Sequence, residues 1–183
     1  MSNSIFILIL RNLILLKGAI SLMSYSIVYS NDKGNTKLLA DAVREALPAE
    51  ECVYFGLPCE DALKADKVYV GFWTNMGTCD KVAKEFLESL TNQEVFLFGS
   101  AGYASDDYFK EIICKSKENI PESAKVVGDF MCQGKMPMSV RERYEKDLEA
   151  GKDVEKTKML IANFDKALSH PDQEDFKQLK ERL

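Results

Sequence analysis

The chain has 183 residues, of which 46% are apolar and 29% charged, and its net charge at neutral pH is −5. This is enough for one globular domain with its own core. The acidic balance argues against a nucleic-acid-binding protein and favours a basic protein partner. Five scattered cysteines without a CxxC pair indicate reduced cytoplasmic thiols, and the single histidine argues against a zinc site or other bound metal.

The first 22 residues differ from the rest. Residues 5–16 are almost wholly apolar, but Arg11 interrupts them, so they fall short of the roughly 20 apolar residues that span a membrane. No basic residue precedes this stretch, which argues against a signal peptide. The codons for Lys17–Ala19 can form a purine-rich ribosome-binding sequence a short distance before Met23. We therefore interpret 1–22 as a mis-assigned start, with a membrane anchor, a signal or an extra helix as alternatives.

Beyond Met23, short apolar runs alternate with helical patterns. Strands are predicted at 25–29, 51–55, 67–72, 94–98 and 125–132. Helices are predicted at 35–47, 78–90, 106–119, 140–150, 153–169 and 173–182. This alternation predicts one domain, 23–183, of the α/β class: a doubly wound three-layer sandwich around a five-stranded parallel sheet of order 2-1-3-4-5.

The segment between the first strand and the first helix has the composition of a phosphate site. It reads Ser30-Asn31-Asp32-Lys33-Gly34-Asn35-Thr36. The first N–H groups of a helix have no partner within it, and the helix dipole favours an anion there. Gly34 allows a tight turn, while Asn31, Asn35 and Thr36 offer side-chain donors. The triplet Gly34–Thr36 alone is also a common turn and helix cap, so its position after the first strand carries the prediction.

Three more segments follow strands, so a parallel sheet would place them at the same edge. They are 72–78, which holds the only tryptophan, Trp73; 99–103, which ends at Tyr103; and 132–137. Glycine-containing loops with aromatic side chains beside a phosphate site suit a phosphorylated, flat, conjugated ligand. The alternatives are that Trp73 packs in the core and that Tyr103 closes a loop.

These motifs resemble those of the flavodoxin family. The family's phosphate loop reads roughly [ST]-x-T-G-N-T, and residues 31–36 match its last three positions. The Gly-Phe-Trp-x-x-x-Gly-Thr segment at 71–78 and the Cys-Gln-Gly-Lys segment at 132–135 resemble one group of flavodoxin-like proteins. The sequence departs from the family where Asn31 replaces a hydroxyl residue and Lys33 replaces threonine. Lys33 could add a charge-assisted contact to the phosphate or point to solvent.

The resemblance implies a flavodoxin-like fold and flavin mononucleotide (FMN) as cofactor. It implies phosphate contacts from Asn31, Lys33, Gly34, Asn35 and Thr36. It implies that the flavin ring lies between two loops, formed by Trp73, Thr74, Asn75, Met76, Gly77 and Thr78 and by Gly99, Ser100, Ala101, Gly102 and Tyr103. A peptide flip at 75–77 is expected to present a carbonyl to the ring, because Gly77 tolerates positive φ.

The function implied is electron transport by a cytoplasmic flavoprotein of the oxidoreductase type, which shuttles low-potential electrons from a reductase donor to an acceptor protein. A dedicated acceptor such as a bilirubin-reductase-type enzyme is one option. The first alternative is an NAD(P)H-dependent quinone or flavin reductase, although the chain shows no second dinucleotide motif and no long insertion that could make another nucleotide site. The second is a signalling module without flavin, although 72–78 lacks the aspartate that a receiver domain phosphorylates.

The remaining polar residues have simpler interpretations, and no catalytic side chain is assigned. Thr78 is predicted to cap the second helix, and Cys132 to be a small buried residue. His170 and the acidic residues after it are predicted to end one helix and begin the last one. Four acidic residues are expected to form either a solvated face or a docking patch for a basic reductase: Glu60, Asp61, Asp106 and Asp107.

Overall fold

The computed structural model describes residues 23–31 and 34–183, so the predicted leader 1–22 and the loop residues Asp32 and Lys33 lie outside the described residues. The strands are β1 (Tyr25–Tyr29), β2 (Cys52–Gly56), β3 (Lys67–Asn75), β4 (Thr78–Cys79), β5 (Glu94–Ala101) and β6 (Lys125–Gln133). The helices are α1 (Asn35–Ala46), α2 (Lys81–Glu88), α3 (Asp106–Lys117), α4 (Met138–Glu149), α5 (Val154–Ala167) and α6 (Gln173–Lys180), with short 3₁₀ turns at Ala49–Glu51 and Glu60–Lys64. None of these helices is long and apolar enough to cross a membrane.

The sheet confirms the predicted α/β doubly wound fold. Its long strands are parallel neighbours in the order β2-β1-β3-β5-β6, which is the predicted 2-1-3-4-5 order of the five strands. The prediction of a purely parallel sheet is wrong in one respect, because β4 pairs antiparallel with the end of β3. Met76 and Gly77 join these two strands with φ values of 49° and 81°. Positive φ at both central residues is the geometry of a tight two-residue hairpin turn.

The central strands are buried on both faces, which explains their nearly continuous apolar sequence. On one face Val70 and Phe72 of β3 pack with residues of α2 and α3, such as Leu87 and Ile112. On the other face, which we call the α1 face, Tyr69 of β3 packs with residues of α1 and α6. Side chains alternate along a strand, so every second residue of β3 belongs to the α1 face.

Strands β3 and β5 run further than predicted. Phe72 pairs with Gly99, and Trp73 pairs with Ser100, which also pairs with Cys132 of β6. Pairing on both sides keeps β5 extended through Ser100, and pairing with β6 continues to Ala101. Pairing with β5 and then β4 keeps β3 extended through Asn75. The residues 73–75 and 99–101, predicted as loops, are therefore strand ends.

After β6 the chain forms a helical hairpin, α4 and α5, and then α6, close to the three helices predicted from the sequence. Helix α6 packs on the α1 face, with Leu179 in the core beside α1 and Lys180 ion-paired with Glu45 at 3.1 Å. Helices α4 and α5 precede α6 and pack against each other.

Candidate cofactor site

The N-terminus of α1 has the features of an anion site. Gly34 stands at the cap position with φ 81° and ψ −151°, no side chain of residues 23–31 or 34–183 caps the helix, and no acidic residue stands in its first turn. An added Cβ on Gly34 would meet no atom of the described residues within 4 Å. The N–H groups of residues 35–37 have no acceptor inside the helix. This geometry and the helix dipole suit a phosphate group.

Close packing holds this end of α1 against two neighbouring segments. The buried Thr36 lies beside Gly71 of β3, where a Cβ would come within 3.1 Å of the threonine methyl group. Asn35 Nδ2 donates a hydrogen bond of 3.0 Å to the carbonyl of Lys135. A side chain at Gly134 would collide with Asn35, so this glycine is needed for the close approach. The segment 132–135, predicted to follow the last strand at this edge, thus contacts the start of α1.

A buried carboxylate joins three elements around the site, and sequence analysis missed it. Asp80 is 2% exposed. Its Oδ2 accepts hydrogen bonds from Ser30 Oγ at 2.5 Å and from the Trp73 N–H at 3.3 Å. Its Oδ1 accepts from the backbone N–H groups of Val82 and Ala83. Asp80 therefore links the start of the phosphate loop and the strand end that carries Trp73 to the first turn of α2.

The predicted N-cap at Thr78 is wrong. Thr78 belongs to β4, and α2 begins at Lys81 with Asp80 as its N-cap. Aspartate is a favoured N-cap, so this residue directly before the amphipathic stretch was the available signal. Gly77 and Thr78 precede Asp80 and are also typical of a turn and an N-cap, so the helix start was predicted at Thr78.

Two large aromatic side chains stand partly exposed at the same edge. Trp73 is 42% exposed and Tyr103 is 47% exposed. Trp73 lies two positions beyond Gly71 on β3, and thus on the α1 face. Tyr103 follows β5 and contacts Tyr108 edge-on, with 6.2 Å between ring centroids. Thr74 Oγ1 donates to the carbonyl of Ser100 at 2.9 Å and ties the two strand ends together. The edge therefore offers aromatic surface to a flat ring beside the open helix terminus.

A protein-family model described as a flavodoxin domain matches residues 26–183. The chain belongs to the flavodoxin family. It is 39% identical over 171 residues to the flavodoxin-like domain-containing protein BilS of Clostridium symbiosum (strain WAL-14163), a match covering 84% of this chain and 90% of that protein. It is 31% identical over 161 residues to a protein of the same description from Clostridioides difficile (strain CD3), with the same coverage. The fold is similar to a short-chain flavodoxin associated with a non-canonical PDU bacterial microcompartment, with a TM-score of 0.50, 16% identity and coverage of 79% of this chain and 98% of that one.

The flavodoxin assignment supports FMN as the cofactor, and the residues fit it: an uncapped helix terminus for the phosphate and half-exposed aromatics for the ring. The predicted ring residues do not share one environment. Ser100 and Ala101 are buried in β5, and Met76 is almost fully exposed in the hairpin turn. The others divide into the β3 end (Trp73, Thr74, Asn75), the turn and β4 (Gly77, Thr78), β5 (Gly99) and the segment after it (Gly102, Tyr103).

The predicted phosphate residues are placed around the start of α1. Asn31 is exposed after β1, Gly34 is the N-cap, and Asn35 and Thr36 form the first turn. Lys33 lies outside the described residues, so its contact with a phosphate stays a prediction.

Neither Cys132 nor His170 is placed as a reactive side chain at this edge. Cys132 is buried as predicted, and burial raises the pKa of its thiol, which disfavours the nucleophilic thiolate. His170 Nδ1 lies 2.6 Å from Asp175 Oδ2, and Asp175 also accepts the Asp172 N–H in the capping box of α6. The predicted helix boundary at 170–172 is confirmed.

Proposed function

We propose that this protein is an FMN-binding electron carrier that takes electrons from a reductase and passes them to an acceptor protein. The observation that carries the proposal is the open N-terminus of α1 at the same sheet edge as the half-exposed Trp73 and Tyr103. When bound, FMN would supply reversible electron transfer, and the protein would tune its potential.

The chain's own residues have separate tasks in this proposal. The N–H groups of residues 35–37 and the side chains of Asn31, Asn35 and Thr36 bind the phosphate. Asp80 fixes Ser30 and Trp73 relative to each other through one carboxylate. The Met76–Gly77 turn carries positive φ at both residues and leaves room for a peptide flip beside the ring.

Acidic side chains on both sides of the site support docking of a basic reductase. Glu60 and Asp61 follow β2, and Asp106 and Asp107 follow β5, so β1 and β3 separate the two pairs along the same edge. All four are exposed, although Lys64 and Lys110 pair with one carboxylate on each side. A basic partner that covers the edge would meet negative charge on both flanks of the flavin.

The second candidate function is an NAD(P)H-dependent quinone or flavin reductase. The helical hairpin α4–α5 favours it, because α5 forms a cleft of about 570 Å³ beside Tyr103, where a small substrate could bind. A carrier does not need a second cleft.

One anaerobic assay separates the two functions. We expect FMN-loaded protein to leave NADPH unoxidised when it is alone, and to become reduced when a flavodoxin reductase is added. Reduction of cytochrome c should then require both proteins. Steady NADPH oxidation by this protein alone would support the reductase instead. A pull-down from native extract would test the donor and acceptor, including the bilirubin-reductase-type enzyme, and cell fractionation would test the cytoplasmic location.

A further inference from the structure

We propose that the cleft between α5 and the segment after β5 binds an apolar small molecule that carries one or two anionic groups such as carboxylates. Only its placement beside a flavin rests on the proposed function. The cleft volume of about 570 Å³ lies within the range of small-molecule sites. Its walls are Tyr103, Ala104, Gln133 and one side of α5, formed by Lys156, Met159, Leu160, Ala162, Asn163 and Lys166.

Helical spacing explains why these residues share one wall. Lys156, Met159, Leu160, Asn163 and Lys166 stand at positions i, i+3, i+4, i+7 and i+10 of α5, which project to one side of a helix. The two lysines at the ends of this row are separated by about 15 Å along the helix axis. The apolar residues lie between them. The wall therefore has an apolar centre and a cation at each end.

The centre of the wall leaves apolar surface in water. Met159 is 67% exposed, and Tyr103 across the cleft is half-exposed. Single exposed apolar side chains are common, but these two face a common cavity together with Leu160. A flexible thioether beside an aromatic ring suits a bulky apolar ligand.

The charges of the wall select an anion. Lys156 and Lys166 have no ion pair within the described part of the chain, and no aspartate or glutamate among the described residues lines the cleft. Two other basic residues of the hairpin are paired: Lys158 lies 3.3 Å from Glu155, and Arg141 pairs with Asp165. Although the chain has a net charge of −5, the charged side chains that line this cleft are both cationic, and they flank an apolar surface.

A hydrogen-bond network fixes the floor of the cleft. Gln133 Nε2, at the buried end of β6, donates to Gly102 O and to Asn163 Oδ1, each at 3.1 Å. Asn163 Nδ2 donates to the same Gly102 carbonyl at 2.8 Å. This network joins α5 to β6 and to Gly102, the residue before Tyr103. A molecule in the cleft would contact Tyr103, which also belongs to the predicted ring site.

Two dyes of almost the same apolar shape test the proposal. 1-Anilinonaphthalene-8-sulfonate carries an anionic group, whereas N-phenyl-1-naphthylamine is its uncharged analogue. We expect both to bind to FMN-loaded protein with increased fluorescence. The double variant Lys156→Gln/Lys166→Gln should weaken binding of the anionic dye about tenfold, which corresponds to about 1.4 kcal/mol, and leave the neutral dye unchanged. Met159→Asp should weaken both dyes.

Lys158→Gln is the matched control, since Lys158 lies on the same helix, is ion-paired and does not line the cleft. Equal losses of anionic-dye affinity in the control and the double variant would overturn the charge argument. Unchanged binding of both dyes to Met159→Asp would overturn the site. All substituted side chains are exposed, and circular dichroism would verify folding. The titrations are repeated on FMN-free protein, so a failure to bind FMN is recorded separately from a failure of the cleft.

Discussion

Replacing Asp80 by alanine should both destabilise the protein and weaken FMN binding. The variant loses the N-cap of α2, which typically contributes about 1 kcal/mol. It also leaves the Ser30 hydroxyl and the Trp73 N–H without their acceptor, at about 1–3 kcal/mol for each group that stays buried. The variant no longer has to bury a carboxylate, which offsets part of this cost, and Ser30 is only partly buried. We therefore expect the free energy of unfolding to fall by about 2–4 kcal/mol.

The assay is urea unfolding of the FMN-free protein, followed by FMN titration of each variant. Asp80→Asn keeps an oxygen that accepts the cap hydrogen bonds, but it cannot accept from both the Ser30 hydroxyl and the Trp73 N–H. Its stability and FMN affinity should therefore lie between those of wild type and Asp80→Ala. Asp107→Ala is the control, because its side chain is 97% exposed, and it should change stability by no more than about 0.5 kcal/mol. If Asp80→Ala is as stable as this control and binds FMN equally well, the linking role of the carboxylate is refuted.

Three further substitutions test separate parts of the structure. Ser26 Oγ is buried without a hydrogen-bond partner among the described residues, so Ser26→Ala should raise the free energy of unfolding by about 0.5–1 kcal/mol in urea, and a loss above 1 kcal/mol would contradict this. Gly34→Ala should lower the free energy of unfolding by about 1–3 kcal/mol and weaken FMN binding in a fluorescence titration. The control Gly151→Ala, with a comparable positive φ in the α4–α5 connection, should lower stability alone. Equal FMN affinities of the two variants would count against the phosphate site. Gly77→Val should shift the one-electron reduction potentials measured by spectroelectrochemistry, because valine resists the φ of 81° at this turn, and unchanged potentials would argue against the peptide flip.

The strand order could be predicted because each long strand is a short apolar run between helical patterns, and a right-handed parallel fold leaves few arrangements of such units. The hairpin of β4 could not, since a two-residue strand has no periodicity. Its turn residues also gave little warning, because Met76 adopts a positive φ that Asn or Asp would have signalled. The extension of β5 through Ala101 depends on pairing with β3 and β6, which the local sequence does not contain.

The site was predictable where one segment carries it, as at Gly34–Thr36, and not where distant residues meet. Asp80 lies 50 residues from Ser30, and only the fold brings the two side chains together. Helix α5 was expected from its periodicity, but its contact with Gly102 depends on the single pair Gln133 and Asn163. Side-chain pairs of this kind leave no pattern in one sequence.

FMN is expected to bind at the edge formed by the start of α1, Trp73 and Tyr103. The most direct measurement is a titration of FMN into FMN-free protein that records the emission of flavin and of Trp73, the chain's only tryptophan. We expect one equivalent of bound FMN, with quenching of both emissions at the same equivalence point. Absence of FMN binding, or binding that leaves the Trp73 emission unchanged, would contradict it.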